Sequence, residues 1–527
     1  MPYRILVADP IAQEGIALLE RAGQVDVKLR QKEAELEKLV GDYDALVVRS
    51  ETKVTAPIIR AGKKLQVIGR AGVGVDTIDV DAATAQGVIV VNAPAGNTIS
   101  TAEHTLALML ALARNLPQAH ASLKAGEWSR SQFTGVELRH KVLGIFGLGR
   151  VGSEVARRAL AFQMRVLGHD PFVSEALAQQ LGVQLASLEE LLRQADFITV
   201  HTPLSVDTRG LLGERELRLV KPTVRLLNVA RGGIIDEAAL VQALDEGRVA
   251  GAALDVFSQE PPPAGHPLVG HPKVIVTPHL GASTAEAQTS VATDVAEQVV
   301  DVLQGRPARY AVNAPFVPPE AMAALGPFVP LCQALGSLAR QLAEGQPSAV
   351  AIHYQGEVAA HPTVVLRAAV LQGLLEGSSE QRVTVTNASL IAQAHGLRLS
   401  EHTEPTAEAY NSLITVEVAA TGGTCTVAGT IFQGKSHLVR VDSYWVDLVP
   451  TGGYWLFSHH LDRPGMIGNV GTVCGQHDIN ISSMQVGRER PRGRAMMIVG
   501  LDEPIGEEQL AKIRAIPNVY NAKLVKL

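Results

Sequence analysis

The sequence predicts an α/β protein: two doubly wound parallel-sheet domains, one inserted in the other, followed by an α+β region and a small βαββαβ domain. Three observations carry that expectation. Continuous Val/Ile runs alternate with helical stretches from Arg4 to Pro278, the pattern of parallel strands buried on both faces. A glycine-rich turn joins an apolar run to a helix at Gly147–Gly152. Beyond the proline-rich stretch Pro315–Pro330 the pattern changes to longer, alternating β segments.

In the first unit the expected strands are Ile5–Ala8, Ala45–Val48, Val67–Ile68 and Val88–Val91. A long helix should follow, opened by Ser100-Thr-Ala-Glu103 with the spacing of a capping box. Gly126–His140 reads as a connector. Alternation resumes with strands near Val142–Phe146, Val166–His169, Phe197–His201, Val224–Val229, Ala250–Val256 and Val274–Thr277. A helix from Ser283 to Gln304 stops at Gly305-Arg-Pro307, and its place in the chain suggests that it packs back on the first unit. The domains expected are therefore 1–96 with 284–307, 97–283, 315–450 and, after the break at Thr451-Gly-Gly453, 453–527. In the third, Leu413–Val418, Thr424–Thr430 and His437–Val441 read as strands; the tail reads β (454–460), α (465–477), β (479–488), β (494–501), α (506–515), β (519–524), the ferredoxin-like order.

A chain of 527 residues is too long for one core, and 46% hydrophobic with only 4% aromatic residues suits helices on buried strands. Net charge −6 gives no basic footprint, which argues against nucleic acid as a partner. The three cysteines, Cys332, Cys425 and Cys474, lack metal-type spacing and form no disulfide framework, so no metal site is expected. The first residues read as a strand, and the most apolar helical stretch, Leu106–Leu112, is too short for a bilayer. The expectation is a soluble cytoplasmic protein without a membrane partner.

The turn Gly147-Leu-Gly149-Arg-Val-Gly152 follows the run Lys141–Phe146 and opens a helix, the context that a dinucleotide site requires. Gly147 permits the tight turn, Gly149 lets the backbone approach a pyrophosphate, and Gly152 lets helix and strand pack closely. The helix N-terminus offers N–H groups to the phosphates. Asp170 ends the next strand about twenty residues on, where a carboxylate takes ribose hydroxyls and repels a 2′-phosphate. NAD is therefore expected over NADP.

Three later segments each place a polar group at a strand end: Asn228-Val-Ala-Arg231-Gly-Gly, Leu254-Asp255 through Glu260-Pro, and Thr277-Pro-His279. Ligands bind outside the carboxyl ends of strands in open α/β sheets, so these groups should converge. Oxidising a 2-hydroxy acid needs a base for the hydroxyl proton and a cation for the carboxylate. His279 tuned by Glu260 suits the first need, and Arg231 clamps a carboxylate with paired hydrogen bonds. Singly, each also fits a plain structural role in a loop or at a strand end.

Together these segments, with Val-Val-Arg49-Ser and Gly69-Arg70-Ala-Gly-Val-Gly-Val-Asp, resemble the D-isomer-specific 2-hydroxyacid dehydrogenase family over nearly all of residues 1–307. The resemblance implies a flavodoxin-like substrate domain carrying an inserted Rossmann domain, with Arg231, Glu260 and His279 as catalytic arginine, acid and base. It also implies cofactor contacts at Arg150, Val151, Asp170, Thr202, Val229, Ala230, Asp255, Gly281 and Ala282. The tail, with His459-His-Leu-Asp462-Arg-Pro-Gly465 and Asp478-Ile-Asn480-Ile, resembles an ACT regulatory domain, and 315–450 is similar to the intervening domain of the family's long-form, phosphoglycerate-oxidising branch. That branch implies 3-phosphoglycerate as substrate, serine as effector and a homodimer or homotetramer. The dense anion needs cations: Arg49, Arg70 and, from a second subunit, Arg130, with Ser50, Val73, Gly74 and Asn97 nearby. His460, Asp462 and Asn480 are the candidate effector residues. Another hydroxyacid dehydrogenase, a glyoxylate or hydroxypyruvate reductase, or an NAD-sensing scaffold are the alternatives.

Overall fold

The computed structural model describes residues 2–314, 318–377, 382–450 and 452–527; Pro315, the expected start of the third domain, and Thr451 of the expected break lie outside the described residues. Strands β1 (Tyr3–Val7), β2 (Gly23–Val27), β3 (Ala45–Val48), β4 (Val67–Arg70) and β5 (Ile89–Asn92) form a parallel sheet of order β2-β1-β3-β4-β5. The helix Ala285–Leu303 closes this sheet from the far end of the catalytic region. Its Val291, Val295 and Val299 join the core of β1, β3 and β4, and each buried side chain contributes on the order of 1.5–3 kcal/mol. Contact is so close that a Cβ on Gly69 would lie 2.6 Å from Val295.

The second sheet is also wholly parallel: β6 (Val142–Phe146), β7 (Arg165–His169), β8 (Gln184–Leu185), β9 (Phe197–Val200), β10 (Arg225–Asn228), β11 (Gly251–Leu254) and β12 (Val274–Val276). Its order β12-β11-β10-β9-β6-β7-β8 reverses direction at β6 and β9, and this switch point opens a crevice at the strand ends. The helix Thr98–Arg114 leads into it. It starts earlier than the capping box predicts: Asn97 is the N-cap without a side-chain bond, and the Ser100 hydroxyl donates to the Asn97 carbonyl at 3.0 Å. The chain already winds at Ala95–Thr98, which puts Ser100 inside the first turn.

The third region is a mixed sheet, β13 (Pro347–Gly356), β14 (Arg398–Glu404), β15 (Ser412–Ala420), β16 (Gly423–Phe432), β17 (Lys435–Val441) and β18 (Tyr444–Leu448), of order β14-β13-β15-β16-β17-β18. Only β14 runs parallel to its neighbour. The tail is the expected βαββαβ unit: β19 (Tyr454–Leu461), β20 (Ile481–Arg488), β21 (Arg494–Leu501) and β22 (Val519–Lys526), antiparallel in the order β20-β21-β19-β22. Side chains alternate along its strands. Leu456, Met497 and Val499 face the tail's own helices, whereas Trp455, Phe457, Met496 and Ile498 share one core with the third region.

Candidate active site

Gly147 follows β6 at φ 88°, a left-handed turn open to glycine, and a Cβ there would lie 2.8 Å from the His201 carbonyl. A Cβ on Gly152 would lie 2.0 Å from the Gly147 carbonyl, which is why the helix Arg150–Ala161 seats directly against the turn. Over Gly149 there is open space. Asp170 accepts the Leu148 N–H at 2.8 Å and the Phe172 N–H at 2.9 Å, so it braces the glycine turn from the end of β7.

The crevice is a cleft of about 500 Å³ between the two parallel sheets. Val73, Gly74 and Asn97 line one side, Arg150, Val151 and Thr202 the nucleotide side, and Val229, Ala230, Arg231, His279, Gly281 and Ala282 the third wall. The Thr202 hydroxyl is buried and has no partner among the described residues. An open approach over Gly149, a braced acid at Asp170 and this orphaned hydroxyl fit a dinucleotide. His201, also on the cleft, is neutral: burial pushes its imidazole down to about 4, and its Nε2 lies 2.9 Å from the Thr199 hydroxyl.

His279 sits in the turn after β12 at φ 55°, a conformation that a non-glycine residue keeps only when its surroundings impose it. Asp255 imposes it. Buried at the end of β11, its carboxylate accepts the Thr277 hydroxyl at 2.6 Å, the Leu280 N–H at 2.7 Å and the Gly281 N–H at 2.8 Å, with the His104 ring 3.3 Å away. Burial works against its charge, but these donors win and hold the carboxyl below the usual range. Asp255, which the resemblance places at the cofactor, thus also holds the His279 turn.

The His279 Nδ1 lies 2.7 Å from Glu260 Oε2, and Glu260 Oε1 accepts the Phe257 N–H at 3.1 Å. Glu260 itself borders a second, apolar pocket behind the histidine rather than the cleft. Burial would raise the Glu260 carboxyl; the His279 bond and charge, the Phe257 N–H and the charge of Arg231 outweigh it and lower it. Asn228 staples the arginine turn, its amide donating to the Arg231 carbonyl at 2.8 Å and accepting the Ala230 N–H at 3.0 Å.

Arg70 ends β4, largely buried, its Nε without a partner among the described residues; burial and repulsion from Arg231 and Arg49 push its guanidinium down to about 10, so it stays charged at neutral pH. Arg49 is held by Asp9, which accepts its N–H at 2.6 Å and the Thr52 hydroxyl at 2.5 Å. Arg49, its exposed neighbour Ser50 and Arg70 lie beside the cleft residues without lining the cleft, and Arg130 stands exposed on the turn Arg130–Phe133. Asp9 and His104 escape a sequence reading, and the motifs that contain Asn228 and Asp76 give those two residues no role. Their only signal is a polar residue at a strand end or on a helix, which many surface positions share. Among the described residues no group of His, Cys, Asp and Glu could hold a metal, and no helix is long and apolar enough to cross a membrane.

This geometry defines an NAD-dependent dehydrogenase of the 2-hydroxyacid class, and residues 106–281 match the family model "D-isomer specific 2-hydroxyacid dehydrogenase, NAD binding domain". Residues 324–442 match "D-3-phosphoglycerate dehydrogenase intervening domain" and 454–518 match "ACT domain". The chain is 45% identical to D-3-phosphoglycerate dehydrogenase of Synechocystis sp., over 99% of this chain and 95% of that one. It is 43% identical to that of Bacillus subtilis over the full length of both. The chain belongs to the D-3-phosphoglycerate dehydrogenase family. Among solved structures it resembles the TT0316 protein of Thermus thermophilus (37% identity, TM-score 0.55, covering 59% of this chain and 99% of that one). It also resembles the Aquifex aeolicus D-lactate dehydrogenase complexed with NAD and lactic acid (28% identity, TM-score 0.54, 59% and 99%).

Proposed function

We propose that this protein oxidises 3-phospho-D-glycerate to 3-phosphohydroxypyruvate with NAD, the first step of L-serine synthesis. The observation that carries the reading is a single cleft in which His279 and Arg231 share a wall across from the substrate domain, with Arg70 behind it. NAD, held by the glycine turn and Asp170, would supply the acceptor for the hydride that leaves C2. Nδ1 of His279 faces Glu260, which leaves Nε2 to take the hydroxyl proton while Glu260 stabilises the imidazolium. Arg231 holds the carboxylate, and Arg70 and Arg49 supply the positive field for the phosphate. Asp170 and the glycine turn bind the adenosine half and the pyrophosphate.

NADH production with 3-phosphoglycerate, compared with glycerate, lactate and no substrate, tests the assignment. Turnover of the unphosphorylated acids alone would make the protein a different hydroxyacid dehydrogenase, and NAD binding without turnover would make it a sensor. The functional unit we infer is a homodimer or homotetramer in cytoplasm, with Arg130 reaching a partner's cleft and serine bound between paired tails. Within one chain Asp462 lies beside the Arg494 end of β21 and Asn480 beside its Leu501 end, seven residue steps or about 24 Å apart. A site using both therefore requires two copies.

A further inference from the structure

Arg231 is gripped across the cleft by the opposite domain. Its Nε donates to Asp76 Oδ2 at 3.1 Å, although the two residues lie 155 positions apart, in loops that follow β10 and β4 of different sheets. Its Nη1 donates to the Ala230 carbonyl at 2.7 Å. The guanidinium passes over Gly74 so closely that a Cβ there would lie 1.9 Å from Nη2 and 2.7 Å from the Asp76 carboxylate. Two of the three guanidinium nitrogens are thus oriented by protein, and the third is laid against the backbone of the Val73–Asp76 loop.

We propose that Asp76 is a positioning residue for the reaction: it sets the plane of Arg231 and ties that orientation to the approach of the two domains. The inference rests on the reading of Arg231 as the carboxylate clamp. An arginine side chain carries several rotatable bonds, and a clamp that must present two parallel donors gains from having its plane fixed beforehand. Asp76 is well placed to do so because it takes Nε, the nitrogen least useful for an end-on fork. Its charge also acts on Arg70, opposing the repulsion from Arg231. Because Asp76 sits on the substrate domain and Arg231 on the nucleotide domain, the plane is set only when the domains stand at this separation.

Asp76 is two-thirds exposed, so its removal leaves the core untouched and Asp76→Ala should fold with an unchanged melting temperature. The expected result is a KM for 3-phosphoglycerate raised by about tenfold, a smaller fall in kcat, and a KM for NAD unchanged within about twofold. Asp76→Asn, whose amide oxygen still accepts from Nε, should recover part of the loss. A KM for 3-phosphoglycerate unchanged in a folded Asp76→Ala protein would overturn the proposal. So would a lower KM, which would make Asp76 a competitor of the substrate carboxylate, or an equal rise in both KM values. If Asp76→Ala melts early, Asp76→Asn carries the same comparison. Absence of turnover in the unaltered protein would count against the substrate reading instead, which keeps the two failures apart.

Discussion

Glu260 Oε2 stands 2.7 Å from His279 Nδ1, and its other oxygen accepts the Phe257 N–H at 3.1 Å, so the carboxylate is fixed from both sides. Its carboxyl is held below the usual range, so it is ionised throughout the range in which an imidazole titrates. An ionised neighbour favours the imidazolium. Glu260→Gln should therefore move the acid limb of the pH–rate profile to lower pH, with a modest fall in kcat. A limb that stays in place would separate the pair functionally.

His279→Asn addresses the proton transfer itself. The side chain is half-exposed in its turn, and Asn also tolerates the left-handed backbone at this position, so the turn held by Asp255 should survive. Turnover should fall by on the order of 10²-fold or more, while NADH fluorescence titration gives nearly unchanged binding. Full turnover in a folded variant would remove His279 from the mechanism.

The glycine turn offers a comparison within six residues. Gly149→Ala meets no protein atom within 4 Å, and its φ of −66° suits alanine, so the fold should keep its melting temperature while NAD affinity drops sharply. Gly152→Ala meets the Gly147 carbonyl at 2.0 Å and should destabilise the domain as well. If Gly149→Ala binds NAD normally, the pyrophosphate does not cross that turn.

Asp170→Ala should weaken NAD binding and narrow the preference over NADP, because an acceptor and a repelling charge leave together. Part of the loss will come from the Leu148 and Phe172 N–H groups that Asp170 braces. The ratio of kcat/KM for the two cofactors isolates the charge effect, since a loosened turn affects both alike. A wild-type ratio near one would contradict the role given to Asp170.

The parts of this site that were legible in the sequence are those in which neighbouring residues act together. Gly147, Gly149 and Gly152 declare a turn through their spacing, and the buried parallel strands β3, β6 and β9 declare themselves through short, largely apolar runs. Strands β2 and β14 did not, because Gly23–Val27 and Arg398–Glu404 are polar edge strands with little apolar signal. The resemblance gave Asp255 as a cofactor contact; that its oxygens also bind the His279 turn is visible only in the fold. Asp76 closes the quoted Gly69–Asp76 motif, yet its pairing with Arg231 was silent for a stronger reason. Its partner lies on another domain, and no local pattern encodes a contact made when two sheets meet.

The last prediction concerns the tail. Asp462 accepts the Arg492 N–H at 3.1 Å and lies 3.3 Å from the Arg488 guanidinium; the backbone donor first, then the arginine, lower its carboxyl below the usual range. It is charged at neutral pH and partly exposed, as an acceptor for an effector's ammonium must be. Asn480 donates to Asp502 at 2.6 Å at the other end of the sheet, and His460 is buried in β19 with its imidazole pushed down, by burial first. An amino acid that touches both Asp462 and Asn480 must lie between two tails packed in opposite directions, so its binding should stabilise the oligomer. Isothermal calorimetry and activity assays with millimolar L-serine on the intact protein should show saturable binding heat and inhibition. Asp462→Ala and Asn480→Ala should each abolish both while leaving turnover without serine unchanged, since neither lies near the cleft. A dilution series should show serine holding the oligomer together at concentrations where the unliganded protein dissociates. Neither heat nor inhibition would leave the tail as an assembly element, with Asp462 serving only the turn between β20 and β21. Heat that survives both substitutions would place the ligand elsewhere on the chain.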